Sequence, residues 1–141
     1  MSVYFLRSGR LIKIGKASDP AARVRTLQTA SPIRLHLLAV ANIESEAKSF
    51  EIERRLHQLF AFSRKRGEFF GMSAPLQHLV AAVAAGMDVE FAIRQCERLC
   101  TRMNRKKSRL DYLKSVTPPK AENSARRRKR LRAEAREARN S

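Results

Sequence analysis

The chain has 141 residues, 43% of them apolar and none of them Trp; that suffices for one small core of Leu, Ile, Val and Phe and excludes a second full-sized enzyme domain. Its 30 Lys and Arg outnumber 13 Asp and Glu, a net charge of +17, which points to a polyanionic partner, DNA first and RNA second, because neutralising phosphates releases condensed counterions. No run approaches the roughly 20 apolar residues of a membrane-spanning helix, and the basic stretches hold few large apolar residues with which to enter a lipid surface.

Residues 3–6 (VYFL) and 11–14 (LIKI) are β-prone runs separated by Arg7-Ser8-Gly9-Arg10, a turn containing Gly, and together they predict a hairpin. Gly15 ends the second strand. Ser18-Asp19-Pro20 predicts a helix start, with a capping oxygen followed by Pro at the first helical position, and the helix runs to about Gln28. Residues 33–40 (IRLHLLAV) predict a third, partly buried strand. Ser45 caps a helix over about 46–60, on which Phe50, Leu56, Leu59 and Phe60 supply an apolar stripe. Residues 61–67 (AFSRKRG) read as a basic loop, followed by the short apolar element Glu68-Phe69-Phe70. Ser73 and Pro75 open a helix in which Leu76, Leu79, Val80 and Val83 recur at helical spacing up to Gly86. Residues 88–113 predict another helix, increasingly basic. Beyond Val116-Thr117-Pro118-Pro119 only Leu131 is large and apolar, so this segment is read as disordered, or as a solvated helix that forms on phosphate.

Charge follows the same division. Residues 91–141 hold 17 basic and 5 acidic side chains, against 13 and 8 in residues 1–90. Cys96 and Cys100 share a helix face but do not complete a zinc site, and they are read as free thiols. The start of the chain lacks a signal peptide's basic, apolar and small-residue segments, so a cytosolic protein, with nucleoid association as a variant, is expected.

No phosphate loop, nucleophile elbow or zinc-protease motif is present. What remains is a set of polar residues set against the strand–turn–helix pattern: Tyr4, Lys13, Arg23, Glu53, His57 and Glu68. Together they are equipped for phosphodiester hydrolysis. That reaction needs an activated water and cationic help for the phosphorus oxygens. A phenol near a base or metal can take a proton, arginine offers a planar donor fork to phosphate, and a carboxylate can hold Mg²⁺. Glu68, placed beside two Phe residues, needs a partner, a metal or water.

In order and spacing these residues resemble the GIY-YIG nuclease superfamily, in its compact subgroup. Val3-Tyr4-Phe5 stands for the first motif, Ile12-Lys13-Ile14-Gly15-Lys16 for the second, and Asp19-Pro20-Ala21-Ala22-Arg23 for the helix with its arginine. Glu53-Arg54-Arg55-Leu56-His57-Gln58-Leu59-Phe60 is similar to the subgroup's ExxLHxxF helix, and Gly67-Glu68-Phe69-Phe70 to its GEWF element. Lys13 replaces the second tyrosine.

The resemblance implies an α+β fold, with a small three-stranded antiparallel sheet flanked by helices, and Mg²⁺- or Mn²⁺-dependent cleavage. It further implies that Tyr4 accepts the proton of the attacking water, that Arg23 binds phosphate, and that Glu68 holds the metal; Lys13, in place of the second tyrosine, and His57 complete the expected catalytic set. Lys16, Arg64, Lys65 and Arg66, with Arg126, Arg127, Arg128, Lys129 and Arg130 of the tail, are the expected nucleic-acid contacts. The expected organisation is a nuclease-like domain over 1–85, a basic helical extension over 86–116 and the basic tail over 117–141. Expected functions are a metal-dependent DNA endonuclease, a non-cleaving nucleic-acid-binding protein on the same fold, or a small basic RNA-binding protein.

Overall fold

The computed structural model describes the backbone of residues 1–116 and 124–139, and the side chains of 1–116 and 128–139. The expected Pro-rich boundary and the start of the tail fall outside the described residues. The chain forms two compact units, Met1–Arg109 and Leu110–Ser141.

In the first unit, β1 (Ser2–Ser8) and β2 (Leu11–Ala17) form the expected hairpin. Ser8 pairs with Leu11, so the turn is the two residues Gly9-Arg10 rather than four, with Gly9 at φ 58°. A positive φ at the first turn position is where glycine avoids the Cβ penalty. Helix α1 (Pro20–Thr29) starts as its sequence dictates: the Asp19 carboxylate accepts the Ala22 N–H at 3.0 Å, and Pro20 takes the first turn, where its missing donor is not needed. Gln28, near its end, donates to the carbonyl of Ile33 at 3.0 Å and accepts the N–H of Leu35 at 2.8 Å, joining α1 to β3 (Leu35–Asn42). That strand begins two residues later than its apolar run.

Helix α2 (Glu46–Leu59) is capped by Ser45, whose hydroxyl accepts the Lys48 N–H at 3.2 Å. A single 3₁₀ turn, Ala61–Ser63, leads to a second hairpin, β4 (Arg64–Arg66) and β5 (Phe69–Gly71), joined through Gly67 at φ 53°. Two helices follow, α3 (Ala74–Ala84) and α4 (Val89–Val116).

The sheet has five strands in the order β3-β1-β2-β5-β4, every pairing antiparallel. The expectation of three strands is therefore corrected. The two extra strands come from the stretch read as a basic loop and a short apolar element. β5 adds to the free edge of β2, pairing Phe70 with Ile12 and Phe69 with Lys13. β4 is an edge strand whose three residues are all basic and exposed, so it carries no apolar alternation to betray it.

The sheet's two faces divide the chemistry. Val3, Phe5, Ile12, Ile14 and Phe70 point into the core, where they meet Ile52, Leu56 and Phe60, Leu76 and Leu79 of α3, and Ile93, Cys96 and Cys100 of α4. Each fully buried Phe or Leu contributes roughly 1.5–3 kcal/mol of apolar burial. The alternate positions Tyr4, Leu6, Lys13 and Gly15 lie on the opposite face, because side chains alternate along a strand. No described helix is long and apolar enough to cross a membrane.

In the second unit, the C-terminal turns of α4 carry Leu110, Tyr112, Leu113 and Val116, all exposed. Helix α5 (Ser124–Arg139) bears Arg128, Lys129 and Arg130 on its exposed surface. Arg130 pairs with Glu134 at 3.4 Å, one helical turn on.

Candidate active site

Five elements bring polar side chains to one cavity of about 320 Å³: Tyr4 from β1, Lys13 and Lys16 from β2, Arg23 from α1, Glu53 from α2, and Glu68 from the β4–β5 turn. A second, adjoining cavity takes His57, Arg54 and Arg64 and shares Phe50, Glu53 and Glu68 with the first. Of the expected site residues, Tyr4, Lys13, Arg23 and Glu68 line one cavity and His57 lines its neighbour.

Tyr4 is 1% exposed, and its cross-strand partner is Gly15. Its ring lies over that glycine so closely that a Cβ there would sit 2.8 Å from the phenol oxygen. Lys13 pairs across the ladder with Leu6 and so is a diagonal neighbour of Tyr4 on the same face. Its ammonium, almost wholly buried, forms an ion pair with the Glu68 carboxylate and lies 5.4 Å from the Phe69 ring centroid. A buried ammonium requires such a partner. Glu68 is held from behind as well, its backbone carbonyl accepting the Ile14 N–H at 3.1 Å. Its own side chain is 48% exposed and open to the cavity.

His57 Nε2 lies 3.0 Å from the Ile14 carbonyl. A carbonyl only accepts, so Nε2 carries the proton and Nδ1 is the ring nitrogen left to take one. The ring also stands 5.2 Å from Phe70. Burial pushes the Glu53 carboxyl above the ordinary carboxylate range; His57, Lys16 and Lys13 pull it back, and the neighbouring charge of Glu68 pushes it further up. Two carboxylates and a phenol therefore face one space together with Lys13, Lys16 and Arg23.

This donor set suits Mg²⁺, which binds through one or two carboxylates and keeps several waters. Among the described residues no group of three or more His, Cys, Asp or Glu forms a closed metal cage. Glu68 and Glu53 are the residues that would hold such an ion.

Phe50 is the residue that sequence reasoning misplaced. It is 52% exposed and not part of the helix's buried stripe, which consists of Ser49, Ile52, Leu56 and Leu59. It lies on the cavity, with the Lys16 ammonium 3.0 Å from its ring centroid. The signal was in the spacing: Phe50, Glu53 and His57 recur at i, i+3 and i+7 and so share one helix face. Arg64 packs on the Phe70 ring at 5.3 Å and donates to the His57 carbonyl, while Lys65 and Arg66 are exposed on β4. The side chains of Arg126 and Arg127 fall outside the described residues.

The T5orf172 domain family matches residues 1–87, which takes in β1 through α3 and every residue lining the two cavities. No curated protein and no solved structure matches the chain.

Proposed function

The chain belongs to the T5orf172 domain family, and from that premise we propose that it is a metal-dependent endonuclease that hydrolyses DNA phosphodiester bonds through a GIY-YIG-like site. The domain is found in phage-like nucleases, and membership points to a nuclease-like or DNA-binding function. The observation that carries the finer reading is the meeting of Tyr4, Lys13, Arg23 and Glu68, from four separate elements, around one cavity.

In this reading Arg23 offers its fork to the non-bridging oxygens of the scissile phosphate. Tyr4, fixed over Gly15, takes a proton from the attacking water, with the cations of Lys13 and Lys16 on the same cavity. His57, with its Nε2 committed to Ile14, presents Nδ1 for a proton. A divalent ion held at Glu68, with Glu53 beside it, would supply charge stabilisation at the phosphorus oxygens and an acidified water. Charged side chains ready before substrate arrives need no reorganisation as charge develops.

One observation favours a second reading, a nucleic-acid-binding protein that does not cut. The Lys13 ammonium occupies the Glu68 carboxylate that a metal would use. Plasmid nicking separates the two. With Mg²⁺ or Mn²⁺ the supercoiled form should become nicked and linear, and EDTA should stop it. Tight DNA binding with no nicking in either metal overturns the endonuclease and leaves the binding protein.

A further inference from the structure

Behind α2, away from Tyr4 and Arg23, a groove of about 700 Å³ runs between α2 and α4. Arg55 and Gln58 line it from α2, and Glu97, Arg98, Arg102 and Arg105 from α4. Four arginines thus face one glutamate. Glu97 is already committed, as it pairs with Arg55 and closes one end of the groove. Arg98, Arg102 and Arg105 are exposed, and none of the described ion pairs includes them. Like charges gathered on one wall repel each other, so a row of unpaired arginines is stable only in water or against an anion.

The two walls of the groove are tied to each other. Asn104 Nδ2 donates to the carbonyls of Leu59 at 3.0 Å and Gln58 at 3.3 Å, satisfying two of the acceptors that the end of α2 leaves open. With the Arg55–Glu97 pair, these bonds fasten the two helices at both ends. Arginines at i, i+4 and i+7 lie along one side of α4 over about 10 Å, at 1.5 Å per residue. Gln58 lines this groove and also the cavity that holds His57 and Glu68, so the two are contiguous around the C-terminal half of α2.

We infer that the α2–α4 groove is a second binding site for the phosphodiester backbone of duplex DNA, in which Arg98, Arg102 and Arg105 hold the strand flanking the one that enters the Tyr4–Glu68 cavity. The inference rests on the proposed nucleic-acid function of that cavity, though not on cleavage. The groove offers charge and hydrogen-bond forks to phosphates and no built pocket for a base, so it positions the duplex without reading sequence. The matched domain ends at residue 87, before α4 begins, so the α2 wall of the groove lies inside that domain and the arginine-bearing α4 wall outside it.

The test measures anisotropy of a labelled DNA duplex, in EDTA and over a range of salt, for the full chain and two charge-matched variants. One variant is Arg98→Gln/Arg102→Gln/Arg105→Gln. The control is Arg7→Gln/Arg10→Gln/Arg34→Gln, three exposed arginines that line neither the groove nor the cavities. Each lost phosphate contact lowers the slope of log K against log salt by about 0.9, so the groove variant should lose about 2–3 in slope and roughly tenfold or more in affinity near 0.1 M salt. The control should lose clearly less. Equal losses in the two variants would mean diffuse attraction by net charge and would overturn the site, as would an unchanged groove variant. Stronger retention of duplex RNA than of DNA by the wild-type chain would overturn the choice of DNA. Should the triple variant melt early, the three single substitutions read the same slope one contact at a time. Because no metal is present, loss of binding in the groove variant stands even if the wild type never nicks a plasmid, and nicking by the wild type stands even if the groove variant binds normally.

Discussion

Gly15→Ala adds one methyl group at the centre of the candidate site, and opposing effects set the sign of its outcome. Gly15 is not among the residues with positive φ, so alanine can adopt its backbone without strain. Taken alone, the substitution restricts the unfolded chain and should stabilise by about 0.4–1 kcal/mol. The new Cβ, however, would stand 2.8 Å from the Tyr4 hydroxyl, 2.9 Å from Cζ and 3.3 Å from Cε1. Tyr4 is 1% exposed, so the ring has little room to retreat. Overpacking of this kind costs about 1–3 kcal/mol. The net effect should be a loss of about 0.5–2 kcal/mol, or roughly 3–10 °C in melting temperature for a unit of this size. Nicking should fall more steeply than stability, because the phenol is displaced from the cavity.

The control is the same change in a Tyr4→Ala background, where the clash is gone and Gly15→Ala should now stabilise by a few tenths of a kcal/mol or more. Denaturant melts of the four proteins supply the cycle. A Gly15→Ala chain as stable as wild type, or an equal effect in both backgrounds, would refute the claim that Gly15 exists to seat Tyr4.

Other outcomes follow from the same geometry. Glu68→Ala should abolish Mg²⁺-dependent nicking while the folded protein keeps or gains DNA affinity without metal, since a negative charge leaves the cavity; wild-type nicking rates in a folded mutant would exclude the metal role. Ending the chain at Thr117 removes 9 basic and 3 acidic side chains and should leave the melting temperature unchanged while flattening the salt dependence of DNA binding; an unfolded truncation or an unaltered slope would count against the tail as a tether. Burial pushes the Cys100 thiol up to about 12, with Cys96 adding to the rise, and burial raises Cys96 too. A thiol reagent at pH 8 should therefore label neither cysteine until denaturant is added, and fast labelling of the native chain would contradict their burial.

Legibility followed local physics. Asp19-Pro20 and Ser45 were readable because capping is written in a few adjacent residues, and both caps form. Leu76, Leu79, Val80 and Val83 were readable because one apolar face of a helix repeats regularly, and all four are buried. The second hairpin was not. Arg64-Lys65-Arg66 is a strand because β5 gives it a partner across the ladder, a long-range fact absent from three basic residues. Register was also hidden: Tyr4 meets Gly15 and Lys13 meets Leu6, which the two-residue turn decides and the apolar runs do not. Phe50 is hard to place because an apolar residue near other apolar residues reads as part of the stripe, whereas its helical phase belongs with Glu53 and His57.

Strand β2 is where these threads meet, and its residues show what a lysine at position 13 does for the cavity. From Lys13 to Lys16 each residue has a different task. Lys13 turns to the cavity face and pairs with Glu68; Ile14 turns to the core, yet its N–H donates to the Glu68 carbonyl and its own carbonyl accepts from the His57 ring. Gly15 leaves space for Tyr4, and Lys16 reaches across to Phe50. The β4–β5 turn is thus fastened to β2 twice, once by backbone and once by charge. A phenol at position 13 could offer a hydrogen bond to Glu68 but no counter-charge for a cavity that also holds Glu53, whose carboxyl is already pushed up by burial and by Glu68. With lysine there, two carboxylates face three cations, Lys13, Lys16 and Arg23, and a phosphate meets net attraction before any metal arrives. In the proposed endonuclease, a divalent ion held by Glu68 would have to displace this lysine from the carboxylate it pairs with.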